Sequence, residues 1–177
     1  MSNYTYQDNL ETLRLRTRKL TKDDVNIWAD FFKDKEAIEF FPAVGFPSDD
    51  DRAKDWIDRQ LNRYAENRYG LQALIEKRTG NFIGICGLLS QEVDGITELE
   101  VGYHVFKKYW GQGFAPEASR LFIDYAFKNK LATSIISIID FGNKKSERVA
   151  EKNGLIREKR IIWSDFDVYI YRIKQIV

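Results

Sequence analysis

The sequence predicts an α+β domain: a mixed, mostly antiparallel sheet of about seven strands, flanked by four helices. Three observations lead there. Alternating and β-branched runs are interleaved with helical-period stretches in the order β α α β β β α β α β β. The second, third and fourth strand-like runs are separated only by "RTGN" and "EVDGI", hairpin turns that antiparallel neighbours share. The longer connections carry helices, which must cover the faces of the sheet.

"LETLRLRTRKL" alternates Leu13 and Leu15 with Arg14 and Arg16, the pattern of a half-buried strand. "TKDDVNIWADFFKD" follows as a helix, with Thr21 as N-cap and Val25, Trp28, Ala29 and Phe32 on one stripe. The aromatic loop "EFFPAVGFP" leads to a second helix from Ser48, "SDDDRAKDWIDRQLNRYAEN", with Ala53, Trp56, Ile57, Leu61 and Tyr64 as its apolar face. "YGLQALIEK", "NFIGICGLLSQ" and "TELEVGYHVF" form the meander. After "YWGQG", "APEASRLFIDYAFKNK" is the third helix and "TSIISIID" a dense β-branched strand. "KKSERVAEKNG" is a short helix with Gly154 at C′, and two final strands turn around "SDFD".

One domain, 1–177, accommodates all of this and can bury a sizeable core. With 28 basic and 27 acidic residues there is no basic surplus to draw nucleic acid or an anionic membrane. No run approaches a membrane span and the first residues lack a secretory core, so the simplest location is the cytoplasm. The lone Cys86 lies in "FIGICGLL", which reads as a buried, inert thiol. Asp49, Asp50 and Asp51 fall in the first turn of the second helix, where they complement its dipole; no metal is expected.

"YWGQGFAPEAS" places two glycines and an alanine at a helix start. Such a turn offers free N–H groups to a phosphate, but it also suits a tight packing connection. A dinucleotide fingerprint is disfavoured. Pro116 replaces its third glycine and the preceding strands are hairpin-linked, although Asp140 stands near where a ribose-binding acid would be. No Gly-Lys-Ser/Thr follows, which excludes a P-loop. Gly111 and Gly113 remove side chains that would obstruct a ligand, and Pro116 suits the first helical turn.

"EVGYHVFKKYWGQGFAPEASRLFIDYAF" resembles the acetyl-CoA segment of the GNAT N-acetyltransferases, and within them the RimJ/RimL-type branch that acetylates ribosomal-protein N-termini. Trp110 stands where the wider family has Gln or Arg. "NKKSERVAEKNGLIRE" resembles that branch's Asn-x-x-Ser segment, with Leu155 for the usual Phe. "LETLRLRTRKLTKDD" and "GNFIGICGL" are similar to its opening strand and helix and to its third strand, so the likeness spans nearly the whole chain. The resemblance implies a sheet splayed between strands 4 and 5, with acetyl-CoA as co-substrate lying in the split. His104, Val105 and Phe106 would pair with the pantetheine arm. Trp110, Gly111, Gln112, Gly113, Phe114 and Ala115 would form the pyrophosphate loop, and Asn143 and Ser146 would lie near the sulfur. A plain helix N-cap is the other reading of Asn143.

The implied reaction is attack of a neutral amine on a thioester, which needs a base, an oxyanion donor and help for the departing thiolate. An N–H near Val105 could serve the oxyanion. Alternation places Glu98, Glu100 and His104 on one strand face, with Leu99, Val101 and Tyr103 on the other. Glu100 and His104 lie roughly 13 Å apart along the strand, so they cannot share one proton. Glu100 matches the family's glutamate base; His104, the only histidine, is the second candidate. Ser146 takes the place of the family's acidic tyrosine, as a hydrogen-bond donor to the thiolate. Phe40, Phe41 and Phe46 would wall an acceptor channel, with Phe40 the one expected to turn into the core. Asp165 either faces the acceptor or is ordinary turn chemistry. The acceptor is a protein α-amine or a small amine such as a polyamine, amino acid or aminoglycoside. A cofactor-binding module without catalysis is the remaining alternative, and monomer and homodimer both stay open.

Overall fold

The structure, a computed structural model, describes residues 4–176. Among these described residues seven strands form one sheet in the order β1-β2-β3-β4-β5-β7-β6. They are β1 (Leu15–Lys19), β2 (Leu71–Glu76), β3 (Phe82–Val93), β4 (Ile96–Val105), β5 (Ser134–Asp140), β6 (Ile156–Trp163) and β7 (Phe166–Lys174). Four helices cover it: α1 (Val25–Lys33), α2 (Asp49–Ala65), α3 (Phe114–Lys128) and α4 (Lys144–Lys152). All strand pairs are antiparallel except β4 with β5.

Alternation divides the core into two layers. Leu74, Cys86, Leu88, Val101 and Val105 pack with Phe122, Ile123, Ala126 and Ala150 under α3 and α4. Leu71, Ala73, Phe82 and Ile85 pack with Trp28, Phe31, Phe32, Ala53 and Ile57 under α1 and α2. Cys86 is fully buried, and that burial raises its thiol pKa far above the usual range, so it is inert at neutral pH. Ser48 caps α2, accepting the Asp51 N–H at 3.0 Å, with the three aspartates in the first turn. Among the described residues no helix is long and apolar enough to cross a membrane.

Three local expectations need correction. Leu13 is 92% exposed, because the chain bends before β1 and the strand's buried side is Leu15 and Thr17. Thr21 is an N-cap as expected, but of a 3-10 turn at Lys22–Asp24 that precedes α1, and the Asp24 carboxylate takes the Thr21 N–H and a bidentate Arg18 guanidinium. The last hairpin turns on Ser164 and Asp165 alone, both at positive φ, and Phe166 and Asp167 already belong to β7.

The sheet is interrupted at one place. β4 and β5 share a single parallel pair, Glu100 with Ile136, and then part. Side chains satisfy backbone groups beside the opening: the Ser137 hydroxyl donates to the Val101 carbonyl (3.0 Å), and the Glu100 carboxylate accepts the Ile138 N–H (3.2 Å). The sheet therefore forks between its fourth and fifth strands.

Candidate active site

The fork exposes one edge of β4. The Phe106 N–H donates to the Ile83 carbonyl on β3 at 3.0 Å, so strand alternation turns the amide groups of Val105 and Tyr103 to the opposite edge, towards the opening. There the Val105 carbonyl accepts Trp110 Nε1 at 2.7 Å. Trp110 thereby ties the glycine loop to the end of β4, and the Lys145 ammonium of α4 lies 4.1 Å from its ring centroid. On β3, Gly84 permits the close approach of β4, since a Cβ there would collide with the His104 carbonyl oxygen.

Beyond β4, a 3-10 turn at Lys107–Tyr109 leads to Gly111 (φ 72°) and Gly113 (φ 80°), both left-handed. Gly113 caps α3. The first helical bond there runs from the Glu117 N–H to the Gly113 carbonyl, so Phe114 and Ala115 keep free N–H groups at the positive end of the helix. Arg14, from the segment before β1, braces this loop. Its guanidinium donates to the Gln112 carbonyl (2.9 Å) and to Glu117 (2.6 Å), and it stacks 4.2 Å from the Phe114 centroid. A Cβ added at Gly111 would meet nothing, and one at Gly113 only that guanidinium. The result is an open backbone cradle with the Arg14–Glu117 ion pair at its rim, whose free N–H groups suit a phosphate.

Glu100 sits where the strands part and is 8% exposed. Burial raises its carboxyl pKa to about 7, against the opposing effects of Gln91 Nε2 at 2.7 Å, the Ile138 N–H and the Arg63 charge. His104 lies further along the same face in an aromatic box, its ring centroid 4.9 Å from Phe41, 5.3 Å from Trp56 and 6.1 Å from Phe31. Burial depresses its pKa to about 4, so the imidazole is neutral at physiological pH. Phe106 turns into the aromatic cluster with Trp28, Phe31 and Phe82.

Asn143 caps α4, its Oδ1 accepting the Ser146 N–H at 3.1 Å. The Ser146 carbonyl accepts the hydroxyl of Tyr103, which reaches across from β4 at 3.0 Å. The three phenylalanines of the α1–α2 loop are distributed differently from expectation. Phe41 is the one drawn into the aromatic cluster, stacked on Trp56 at 5.5 Å. Phe40 instead lies over Gly142 in the β5–α4 connection, and Phe46 is half-buried. The loop is also strapped by Glu36 to Lys107 (2.6 Å) and Lys145 (3.6 Å), so it bridges the end of β4 and α4. Asp165 is exposed in its hairpin turn, as plain turn chemistry has it.

Sequence patterns missed several of these participants. Tyr103 shares a strand face with Leu99 and Val101 and reads as core; only the fork reveals where its hydroxyl goes. Gln91 becomes a partner of Glu100 through the β3–β4 register, and Arg14 reaches the loop across about a hundred residues of chain. Neither has a local signal.

The acetyltransferase (GNAT) domain family matches residues 14–156, and the chain belongs to that family. YkkB of Bacillus subtilis, itself uncharacterised, is 32% identical over 168 residues, 93% of this chain and 95% of that one. An acetyltransferase from Agrobacterium tumefaciens superposes with a TM-score of 0.80 at 23% identity, over 99% of each chain. The ribosomal-protein-S5-alanine acetyltransferase of Vibrio fischeri shares the fold with a TM-score of 0.72 at 17% identity, covering 93% and 94%. The chain is thus an acetyltransferase of the GNAT family.

Proposed function

We propose that the protein transfers the acetyl group of acetyl-CoA to a primary amine by direct attack in a ternary complex, and that the acceptor is the α-amine of a protein N-terminus. The observation that carries the reading is a carboxyl with a pKa near 7, Glu100, at the point where β4 and β5 part, on the strand whose open edge leads on to the glycine cradle. The free N–H groups of the Gly111–Ala115 loop would take the pyrophosphate, with Arg14 at the rim. The β4 edge from Tyr103 to Val105 would pair with the pantetheine amides, and the Val105 N–H would receive the carbonyl oxygen. Acetyl-CoA supplies the activated acyl group.

Glu100 is the better base of the two candidates. Half ionised near neutrality, it can accept a proton from an ammonium directly or through water. A histidine with pKa near 4 holds protons too weakly for that task; its box of rings instead shapes the acceptor channel with Phe41. A protein acceptor is supported by the likeness of the Asn143–Ser146 segment to the ribosomal-protein branch.

Calorimetric titration with acetyl-CoA, followed by mass spectrometry of cell extract incubated with the protein and labelled acetyl-CoA, tests both levels. Binding with label on protein N-termini is expected. Label confined to small amines would replace the acceptor assignment, and absence of binding would remove the enzymatic reading altogether.

A further inference from the structure

The acceptor must bring an ammonium to Glu100, yet a fixed positive charge already faces that carboxyl. Arg63, in the last turn of α2, is half-buried on the same side of the sheet. We propose that Arg63 is a specificity-determining residue that binds a carboxylate carried by the acceptor beside its amine, so that zwitterionic acceptors are selected over polyamines and aminoglycosides. This rests on the acetyltransferase reading above and names the acceptor chemistry of that same site.

α2 lies along β4 in a register that brings the two groups together. Trp56 meets the His104 ring at 5.3 Å. One turn on, the buried Gln60 accepts the Leu71 N–H at 2.9 Å. Leu71 stands in register with Gly87 of β3 and, through it, with Gly102 of β4. From Trp56 to Arg63 the helix advances about 10 Å, and from His104 to Glu100 the strand covers about 13 Å. Arg63 therefore falls at the Glu100 end of the strand, and each of the two side chains feels the other's charge.

The guanidinium is held in place but not neutralised. Gln60 Oε1 accepts its Nη1–H at 3.1 Å. The arginines on either side are paired, Arg59 with Asp55 (3.0 Å) and Arg68 with Glu66 (2.6 Å). Glu98, on the same face of β4, is spent on Arg172 (2.7 Å). Among the described residues no carboxylate forms an ion pair with Arg63. Burial, and then the charges of Arg59 and Arg68, lower its pKa, and Glu100 is the first group acting the other way.

Glu100 cannot be its lasting counter-ion. That carboxylate already accepts Gln91 Nε2 and the Ile138 N–H, and it is neutralised whenever it takes the acceptor's proton. A guanidinium without a partner would then sit beside the reacting amine. Like charges at close range repel strongly where water is partly excluded, so an acceptor with several ammonium groups meets an adverse field. A carboxylate next to the amine instead gives the guanidinium a bidentate partner, and presents its two charges in the order that Arg63 and Glu100 require. In a protein N-terminus it is an Asp or Glu among the first two residues; in a free amino acid it is the α-carboxylate.

The test measures thiol release from acetyl-CoA with matched acceptors: the peptide amides Ser-Asp-Ala-Ala and Ser-Asn-Ala-Ala, serine and serinamide, and spermidine. Wild type should favour the acid-bearing member of a pair in kcat/KM at least about tenfold, as for a hydrogen bond between charged groups. Arg63→Gln should lose that ratio, and Arg63→Glu should reverse it and admit spermidine, each with acetyl-CoA affinity unchanged by calorimetry. Both members of a pair meet the same base, so the ratio is blind to any change in the acidity of Glu100, and lost packing does not produce a reversal. A preference confined to serine over serinamide supports the role of Arg63 with an amino acid as acceptor. Equal rates within both pairs in wild type, or the wild-type ratio kept in both variants, overturn the proposal. Where no member of the panel reacts, labelled acetyl-CoA in cell extract decides. Label on amines beside a carboxylate supports the proposal, and label on polyamines or on N-termini without an acid overturns it while leaving acetyl transfer intact. Absence of acetyl-CoA binding, or of any label, removes the enzymatic reading and this one together.

Discussion

Replacing Glu100 with Gln separates the chemical demand on this side chain from its structural one. Its carboxyl is raised from an ordinary 4.5 to about 7, chiefly by burial. The folded protein therefore holds the proton more tightly than the unfolded chain does. Stability is undiminished below pH 4.5, falls as pH rises from there to about 7, and then levels off. At ~1.4 kcal/mol for each tenfold in acidity, the rise amounts to about 3 kcal/mol of stability lost at alkaline pH, most of it between pH 5 and pH 8. Glu100→Gln abolishes this term and keeps an oxygen for the Ile138 N–H, while Gln91 can turn its amide to match. Urea unfolding of both proteins at pH 5 and pH 8 cancels every other titration. The variant should gain about 2 kcal/mol on wild type between the two pH values. Its turnover at pH 7 should fall at least about a hundredfold with acetyl-CoA affinity unchanged, and the rise of wild-type turnover through pH 7 should disappear. A stability difference independent of pH would refute the buried-carboxyl account, and equal turnover would refute the base.

The remaining predictions concern the cradle and the fork. Gly113→Val forces a β-branched residue to φ 80° and fills the space beside Arg14, so calorimetry should register at least a tenfold loss of acetyl-CoA affinity with the circular dichroism spectrum retained. Trp110→Phe keeps an aromatic ring but removes the indole donor to the Val105 carbonyl; faster amide exchange at residues 110–113 and a several-fold weaker acetyl-CoA complex are expected. Ser137→Ala leaves the Val101 carbonyl without its hydroxyl donor, and urea unfolding should report a loss of about 1–3 kcal/mol.

Most of the architecture was legible because its signals are local. The Asp94–Gly95 turn, the Ser48 cap and the Gly154 C′ position are each written in a few adjacent residues, and each is found as expected. The glycine loop was also legible, through residue types that only an unusual backbone or a close ligand requires. The electrostatics were not. Glu100 reads from alternation as a residue on a polar strand face, and its pKa depends on Gln91, Ile138 and Arg63, which register and packing bring to it. His104 reads as a group with a suitable pKa and turns out to be held neutral by the rings of Phe31, Phe41 and Trp56. Leu13 shows the converse failure: a good local alternation defeated by a bend that no residue type announces.

The fork joins these two kinds of information. A parallel pair abandoned after one register position leaves main-chain donors and acceptors that must be satisfied or exposed. Here the sequence satisfies some with side chains, Ser137 on Val101 and Glu100 on Ile138, and leaves the Val105 N–H turned to the opening. Each choice has a chemical consequence. The carboxyl recruited to complete the ladder is buried by that same act, and burial carries its pKa to about 7, where a base for an ammonium is useful. The N–H left over is a fixed donor for an oxyanion that needs no reorganisation. Breaking the sheet and tuning the site are therefore one structural event. It follows that Glu100 cannot be exchanged for a neutral group that completes the ladder equally well without losing the titrating carboxyl.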